Sequence, residues 1–428
     1  MISNLSVDLQ PNSFRSLFLF VVTLGNYALM YLANIVLARS LTVSAFDDYS
    51  VALSVVTILS TLATLGLEKY ALRAIALFRE RQDWRKFRGF WLFSLKTISG
   101  SSLLLFGLLS IGLETIWAIQ HSDNHFAIIL FAGFLPIVAI TLFLVEVISA
   151  QGAHVLGITL YRLFLPSVYL LLIVSCSFGN IQLSASVAVL CLGLAWVLTL
   201  ILIWQAAKWI TCSEVWQALP LITGKKWLSR SLPLVFNSLM LTVMTSSGVV
   251  ILELLFPSGL DVGIYAVAAQ TGGFISLIGT STNRYYLPKM VVLVERRNKS
   301  AIQHLISQRS LIIGSLILTL FLTIALFGQH LLALFGSHFS VGYMTLVIIA
   351  VGASISALYA DMPYYLQYMG FNRTVLCSTL LAMLTMVTLA FLLGKSYGTL
   401  GVAIAYMVPV VLLFIGFRFM VALHFKRF

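Results

Sequence analysis

Charge is what this sequence has least of. Lys, Arg, Asp and Glu make up only 9% of its 428 residues, against 60% hydrophobic ones. Soluble domains carry about a quarter charged residues, so water is excluded as the solvent for most of this surface, and mean hydropathy reaches +1.01. Acids are scarcer still, 14 against 26 basic residues, for a net charge of +12. In a soluble chain that excess points to nucleic acid. Here it is confined to a few short loops, and no nucleic-acid partner is expected. The four cysteines, Cys176, Cys191, Cys212 and Cys377, lack the spacing of a disulfide framework or a zinc site and read as small apolar packing residues. His, Asp and Glu never fall at metal-ligand spacing, so no metal is expected. A Gly-rich phosphate loop ending in Lys-Ser/Thr is missing, which argues against ATP hydrolysis, and no other cofactor is implied. Loops long enough to carry the catalytic acids of a membrane glycosyltransferase are also missing. An enzyme is not expected.

What is present is long apolar runs. After Arg15, "SLFLFVVTLGNYALMYLANIVLA" continues uncharged for 23 residues. A signal-peptide core spans about 7–15 residues and a membrane crossing needs ~20, so this run reads as a retained first transmembrane helix. Similar runs recur at 17–38, 46–67, 90–112, 126–149, 156–178, 184–205, 232–256, 263–283, 310–328, 341–360, 374–394 and 399–421. Lipid admits only helices or closed barrels, and barrel-like alternation is missing. The expected fold is an all-α polytopic membrane protein of about twelve transmembrane helices.

Loop charge orients them. Lys69, Arg73, Arg79, Arg81, Arg85, Lys86 and Arg88 follow the second run, and Arg284, Lys289, Arg296, Arg297, Lys299 and Arg309 follow the eighth. The middle connection adds Lys208, Lys225, Lys226 and Arg230, and the tail Lys426 and Arg427. The alternate loops carry Asp47, Asp48, Glu114, Asp123 and Asp261 instead. By the positive-inside rule both termini and the basic loops are cytoplasmic. The most charged stretch, "RERQDWRKFRGFW" (79–91), then reads as a topology determinant that also touches anionic lipid headgroups.

The chain repeats itself. At an offset of 216, Tyr49 meets Tyr265, Val51 meets Val267, Ala52 meets Ala268, Ser60 meets Ser276, Thr64 meets Thr280 and Arg73 meets Lys289; further on, Gln151 meets Gln367. An even number of helices per repeat keeps the copies parallel. We therefore expect two six-helix lobes, 1–210 and 231–428, joined by a cytoplasmic linker, 211–230. Two parallel lobes around a central cavity form a transporter plan.

Charges inside spans cost about 2.5–3.5 kcal/mol each and mark functional candidates. Glu146 and Arg162 lie eight residues either side of a bend near His154, at similar depth, so an ion pair is expected; ion coupling and substrate contact stay open for both. Asp361 occupies nearly the place of Glu146 in the second lobe, with Arg373 across its bend. Lys69 and Arg73 share a helical face, and Arg284, Tyr285 and Lys289 stand in the matching place. Facing each other, the two groups would hold a diphosphate, with tyrosine stacking on sugar. The alternative is that they serve only as positive-inside residues.

"NIVLARSLTVSAFDDYSVALSVVTILSTLATLGLEKYALR" (34–73) resembles the opening of polysaccharide-export flippases of the multidrug/oligosaccharidyl-lipid/polysaccharide (MOP) superfamily. The second half agrees in "WLSRSLPLVFNSLM" (227–240), "DVGIYAVAAQ" (261–270), "LLALFGSHFSVGYMTLVIIA" (331–350) and "YGTLGVAIAYMV" (397–408). The pattern is most similar to Wzx-type flippases. Asp47-Asp48 departs from it, since a glycine usually precedes the tyrosine.

The resemblance implies a V-shaped fold like that of the multidrug and toxin extrusion (MATE) transporters. It also implies movement of an undecaprenyl-diphosphate-linked O-antigen or exopolysaccharide unit across a bacterial inner membrane. Arg39, Lys69, Arg73 and Arg284 would bind the headgroup, and the polymerase and chain-length machinery would be partners. A cation-coupled drug exporter and a non-transporting scaffold of a glycan-synthesis complex stay open as alternatives.

Overall fold

Uncharged runs of this length must satisfy their backbone internally in lipid, and the computed structural model has helices and no strands among the described residues. It describes residues 13–120, 126–179, 182–257, 259, 261–295 and 299–427; within these, the side chains of Arg284, Tyr285 and Lys289 are among those outside the described set.

The helices are α1 (Ser13–Ser40), α2 (Val43–Ala63), α3 (Leu67–Glu80), α4 (Trp84–Gln120), α5 (Phe126–Ala132), α6 (Leu135–Ile148), α7 (His154–Thr159), α8 (Leu165–Phe178), α9 (Ala185–Ile210) and α10 (Ser213–Gln217). The second half follows with α11 (Gly224–Leu255), α12 (Asp261–Glu295), α13 (Lys299–Ala333), α14 (Tyr343–Leu358), α15 (Met362–Tyr368) and α16 (Asn372–Arg427). Ten helical stretches among the described residues are long and apolar enough to cross a membrane. Two of them, Leu135–Phe178 and Asn372–Leu423, turn back at left-handed glycines, Gly152 (φ 93°) and Gly398 (φ 55°). Gly157 accordingly packs on Ile148, and Gly401 lies against the Leu393 carbonyl. Counting both arms of each hairpin gives the expected twelve crossings.

Each half packs on itself. In the first, α6 touches α2, α3, α4 and α9, while α8 lies on α1 and α9. In the second, α12, α13 and α16 surround α14. Lipid tails are as apolar as leucine, so close contact between small residues replaces the hydrophobic effect as the packing force. Buried Ala185, Ala188, Gly193, Ala195 and Ala207 on α9 serve this purpose. Leu103, Leu104, Leu108 and Ile111 on α4 are instead 60–65% exposed, a stripe suited to lipid. Across the middle, α11 runs along α2 and α3 while also packing on α16.

The basic stretch 79–91 has an architectural part. Arg88 Nη1 donates to the carbonyls of Trp216 (2.5 Å) and Ala218 (2.8 Å). Leu221 N donates to the Arg85 carbonyl at 2.9 Å, and Trp91 packs edge-on against Trp216. A Cβ on Gly89 would stand 2.1 Å from the Leu221 carbonyl oxygen, so only glycine lets the connection come this close. Asp83 caps α4, accepting from Lys86 N (3.1 Å) and Lys86 Nζ (2.5 Å). Burial works to raise the Asp83 pKa, but the Lys86 bonds outweigh it and hold the carboxyl below its usual range. The connection between the halves is thus bolted to α4.

Candidate functional site

The halves meet directly at one end, called the closed end, where an apolar space of about 460 Å³ lies to the side between α2 and α11, and a charged cavity opens toward the other end. At the closed end, opposite the basic loops, Asp47 (2% exposed) starts α2 and accepts from the backbone N–H of Gly263, 2.8 Å away on α12. Positions 47 and 263 are related by the repeat offset of 216, so a residue meets its own counterpart at the axis between the halves. A Cβ at 263 would fall 2.3 Å from Asp47 Oδ1. The Asp that departs from the family pattern is therefore matched by a glycine across the interface.

Beside it, hydrogen bonds run in series through the interface. The Tyr169 hydroxyl donates to Tyr49 (3.0 Å), Tyr49 to Asn34 Oδ1 (3.3 Å), and Asn34 Nδ2 to Gln270 Oε1 (2.8 Å). The Tyr31 and Thr271 hydroxyls hydrogen-bond at 3.2 Å, and Tyr31 packs edge-on against Phe274 and Phe335. Arg39 Nε donates to the Leu334 carbonyl at 2.6 Å, and Phe46 meets Phe339. The bonds from Asn34 to Gln270 and between Tyr31 and Thr271 cross the interface, so separating the halves would break both.

Toward the basic end the first half contains a cavity of about 430 Å³. Its walls come from three interruptions of regular helix. Leu65 and Gly66 both have positive φ, which separates α2 from α3 and brings Lys69 to α6. Lys69 Nζ stands 3.6 Å from Glu146 Oε1 there, with 48% and 22% of the two side chains exposed. The Gly152 turn places His154 on the wall. A π-helical turn, Leu160–Phe164, carries Tyr161 and Arg162; such turns often mark functional sites. Arg162 Nη1 donates to Thr23 Oγ1 at 2.5 Å, and its other N–H groups have no hydrogen-bond partner among the described residues. Glu68 and, from α11, Ser238, Leu241 and Thr242 complete the lining. A second cavity, about 290 Å³, lies in the other half, and Leu241 lines both.

Lys69, Glu146 and Arg162 are thus brought together, although Glu146 has Lys69 as its ion partner, whereas Arg162 had been expected. Arg73 is exposed on α3 and is not among the lining residues. Arg39 lies at the closed end. Arg284, Tyr285 and Lys289 lie on α12, and their side chains are outside the described residues.

Asp361 has a different partner from the one expected. Arg309 Nη1 approaches its Oδ1 to 2.6 Å and also donates to the Leu358 carbonyl at 2.8 Å, while Arg373 is exposed. The gap between α14 and α15 frees that carbonyl, and one guanidinium nitrogen reaches it and one carboxylate oxygen together. Arg309, read from the sequence as a loop cation, is 1% exposed. Sequence reasoning also passed over Tyr161, whose only signal was its place beside an intramembrane arginine, and the interfacial Tyr31, Asn34 and Gln270.

Solved structures share this architecture. An inward-facing conformation of a multidrug resistance MATE family transporter of the MOP superfamily aligns with TM-score 0.73 at 15% identity, covering 95% of this chain and 99% of that one. An outward-facing conformation of such a transporter gives 0.67 at 13% identity, covering 97% and 96%. The lipid II flippase MurJ in an inward closed conformation gives 0.74 at 13% identity, covering 95% and 87%. At these identities the likeness is one of fold. No curated protein sequence matches significantly. The family model for polysaccharide biosynthesis proteins matches residues 15–291, well over half of the chain, and the protein belongs to that family.

Proposed function

We propose that the protein is a flippase for a lipid-linked oligosaccharide, taking an undecaprenyl-diphosphate-linked unit from the cytoplasmic leaflet to the periplasmic one of a bacterial inner membrane. The observation that carries this reading is the pair of cations, Lys69 and Arg162, in a cavity within the membrane-spanning bundle. Lys69 is half exposed and only loosely paired with Glu146. Arg162 keeps most of its donor fork unfilled. Burying such charges is expensive unless something binds there, and a diphosphate matches a bidentate guanidinium and an ammonium. Glu146 serves as the counter-charge of the empty site and yields Lys69 to the incoming anion.

With the basic loops cytoplasmic, the sealed Asp47–Gly263 end faces outward and the structure is the inward-facing state. Arg73, Arg284 and Lys289 lie toward the basic end, where they attract the diphosphate. The lipid chain stays in the bilayer while the headgroup enters between the halves. Release outward requires the seal to break and the basic end to close. With the cytoplasm negative, each outward-moving negative charge gains about 2.3 kcal/mol per 100 mV, so the membrane potential alone favours export.

The test is to measure, in oriented vesicles, which leaflet holds the lipid-linked glycan, using an impermeant sugar-modifying reagent. Deletion of the protein is expected to leave the glycan facing the cytoplasm, and Lys69→Gln with Arg162→Gln to do the same at unchanged protein level. An unaltered leaflet distribution accompanied by lost resistance to cationic drugs would replace the flippase with an exporter.

A further inference from the structure

We propose that the connection between the halves is seated in the membrane surface: Trp209, Leu219 and Ile222 insert into the headgroup layer on the basic side, and the lysines beside them bind the phosphates of anionic lipids. The inference goes beyond the flippase reading and stands whatever the protein carries. It starts from α9. Leu190, Leu194, Leu198 and Ile201 are 39–49% exposed and recur every three or four residues, which puts them on one helical face, turned to lipid. Gln205 and Lys208 follow on the same face, both exposed, so the stripe turns polar one turn after Ile201. Trp209, 84% exposed, comes four residues after Gln205, a rise of ~6 Å. The headgroup layer is about 5–7 Å deep on each side of the bilayer. Trp209 therefore lies within it, at the depth that suits an amphipathic indole ring.

The rest of the connection is held at the same edge of the bundle. α10 buries Val215 completely and sets Trp216 against Trp91. Beyond it Leu219 is 74% and Ile222 54% exposed, although Leu221 between them is tied by its N–H to the foot of α4. A segment bonded down on α4 thus leaves three large apolar side chains open, a patch that marks an interaction surface. Charge selects what covers it. From 208 to 230 the chain carries Lys208, Lys225, Lys226 and Arg230 against one acid, Glu214, and the three lysines are exposed. Lys208 Nζ lies over the Trp204 ring, 5.4 Å from its centroid, which holds the ammonium where the α9 stripe turns polar. Lysines flanking inserted apolar side chains match anionic phosphates above a hydrocarbon edge. A soluble protein would have to reach Trp209 past the lipid that borders α9. Seated in this way, the connection cannot swing as a free tether, and the start of α4 is held at the surface with it.

The experiment places one nitroxide at a time on the full protein lacking its native cysteines, at Trp209→Cys, Leu219→Cys and Ile222→Cys. The nanodiscs are phosphatidylcholine alone or with one-third phosphatidylglycerol. Collision with oxygen, which concentrates in lipid, is compared with collision with a neutral, water-soluble nickel chelate. Lipids spin-labelled on the headgroup and on the chain set the depth scale, and a label at Leu198→Cys, reading with the chain, shows that the bundle is folded and inserted. The three connection labels are expected to read at the headgroup level or deeper. Phosphatidylglycerol should lower their nickel access about twofold further, and Lys208→Gln with Lys225→Gln and Lys226→Gln should cancel that step. Labels that read nearer water than the headgroup-labelled lipid overturn the proposal and leave the patch to a soluble protein partner. Equal nickel access in the two lipid mixtures overturns the assignment of the lysines to anionic phosphates.

Discussion

Replacing Gly263 with alanine tests whether the closed end is a latch. The added Cβ would sit 2.3 Å from Asp47 Oδ1 and 3.1 Å from the Phe46 ring, so α2 and α12 must move apart. The bond from Gly263 N to the Asp47 carboxylate, now 2.8 Å, is then lost. A hydrogen bond to a charged group contributes about 1.5–3 kcal/mol, and each ~1.4 kcal/mol is a factor of ten. The sealed state should therefore lose roughly ten- to a hundredfold in population relative to the open one. Asp47→Asn retains a neutral acceptor and should shift it by about half as much in free energy; Asp47→Ala should act like Gly263→Ala. The assay is double electron–electron resonance between spin labels at Ser40 and Ser337, exposed residues on either half at this end, in a background lacking the four native cysteines. Wild-type protein should give a short, narrow distance distribution, and Gly263→Ala a longer or bimodal one. Identical distributions in the two would refute the latch.

The core pair offers a sharper contrast. Arg309→Leu alone strands the Asp361 carboxylate and should cost about 3–5 kcal/mol, whereas Arg309→Leu with Asp361→Leu should recover most of it. Melting temperatures in detergent decide, and equal losses in both would show that the pair does not hold the α14–α15 break. Gly89→Val drives a side chain into the Leu221 carbonyl, so the 211–223 connection should be cut several-fold faster by protease; unchanged cleavage would mean that the connection is held elsewhere. Glu146→Gln removes the loose partner of Lys69. For a half-exposed pair worth about 0.2–1 kcal/mol, binding of undecaprenyl diphosphate should tighten by up to about fivefold, and weakened binding would place Glu146 itself in contact with the substrate or a coupled ion.

The spans were legible because lipid leaves an uncharged run of this length only one way to fold. The repeat was legible because Tyr49 and Tyr265 keep the same place at the start of paired helices. Side-chain partners were not. Hydropathy places Arg309 in a loop because a cation near the end of an apolar run normally snorkels to the headgroups. Nothing in the neighbouring residues announces that Leu358 will release a carbonyl for it 49 positions away. Glu146 was visible as a charge inside a span and Lys69 as a cation just past the end of the second run. Their meeting depends on the Leu65–Gly66 break, which the unbroken α12 of the other half does not share, so the repeat itself gave no warning. The stretch 79–91 was read for its charge as a topology signal, while Arg88, Gly89 and Trp91 dock the connection between the halves.

The contact between Asp47 and Gly263 bears on how the two halves came to differ. In a symmetric dimer of a six-helix ancestor, a residue beside the axis would face its own copy. Two glycines tolerate that meeting. Two aspartates would press like charges together, and any change made on one side would be made on the other at the same moment. A carboxylate fits here because the position facing it is a glycine, whose missing Cβ leaves the 2.8 Å approach open. The closed end is held by what the two halves do not share.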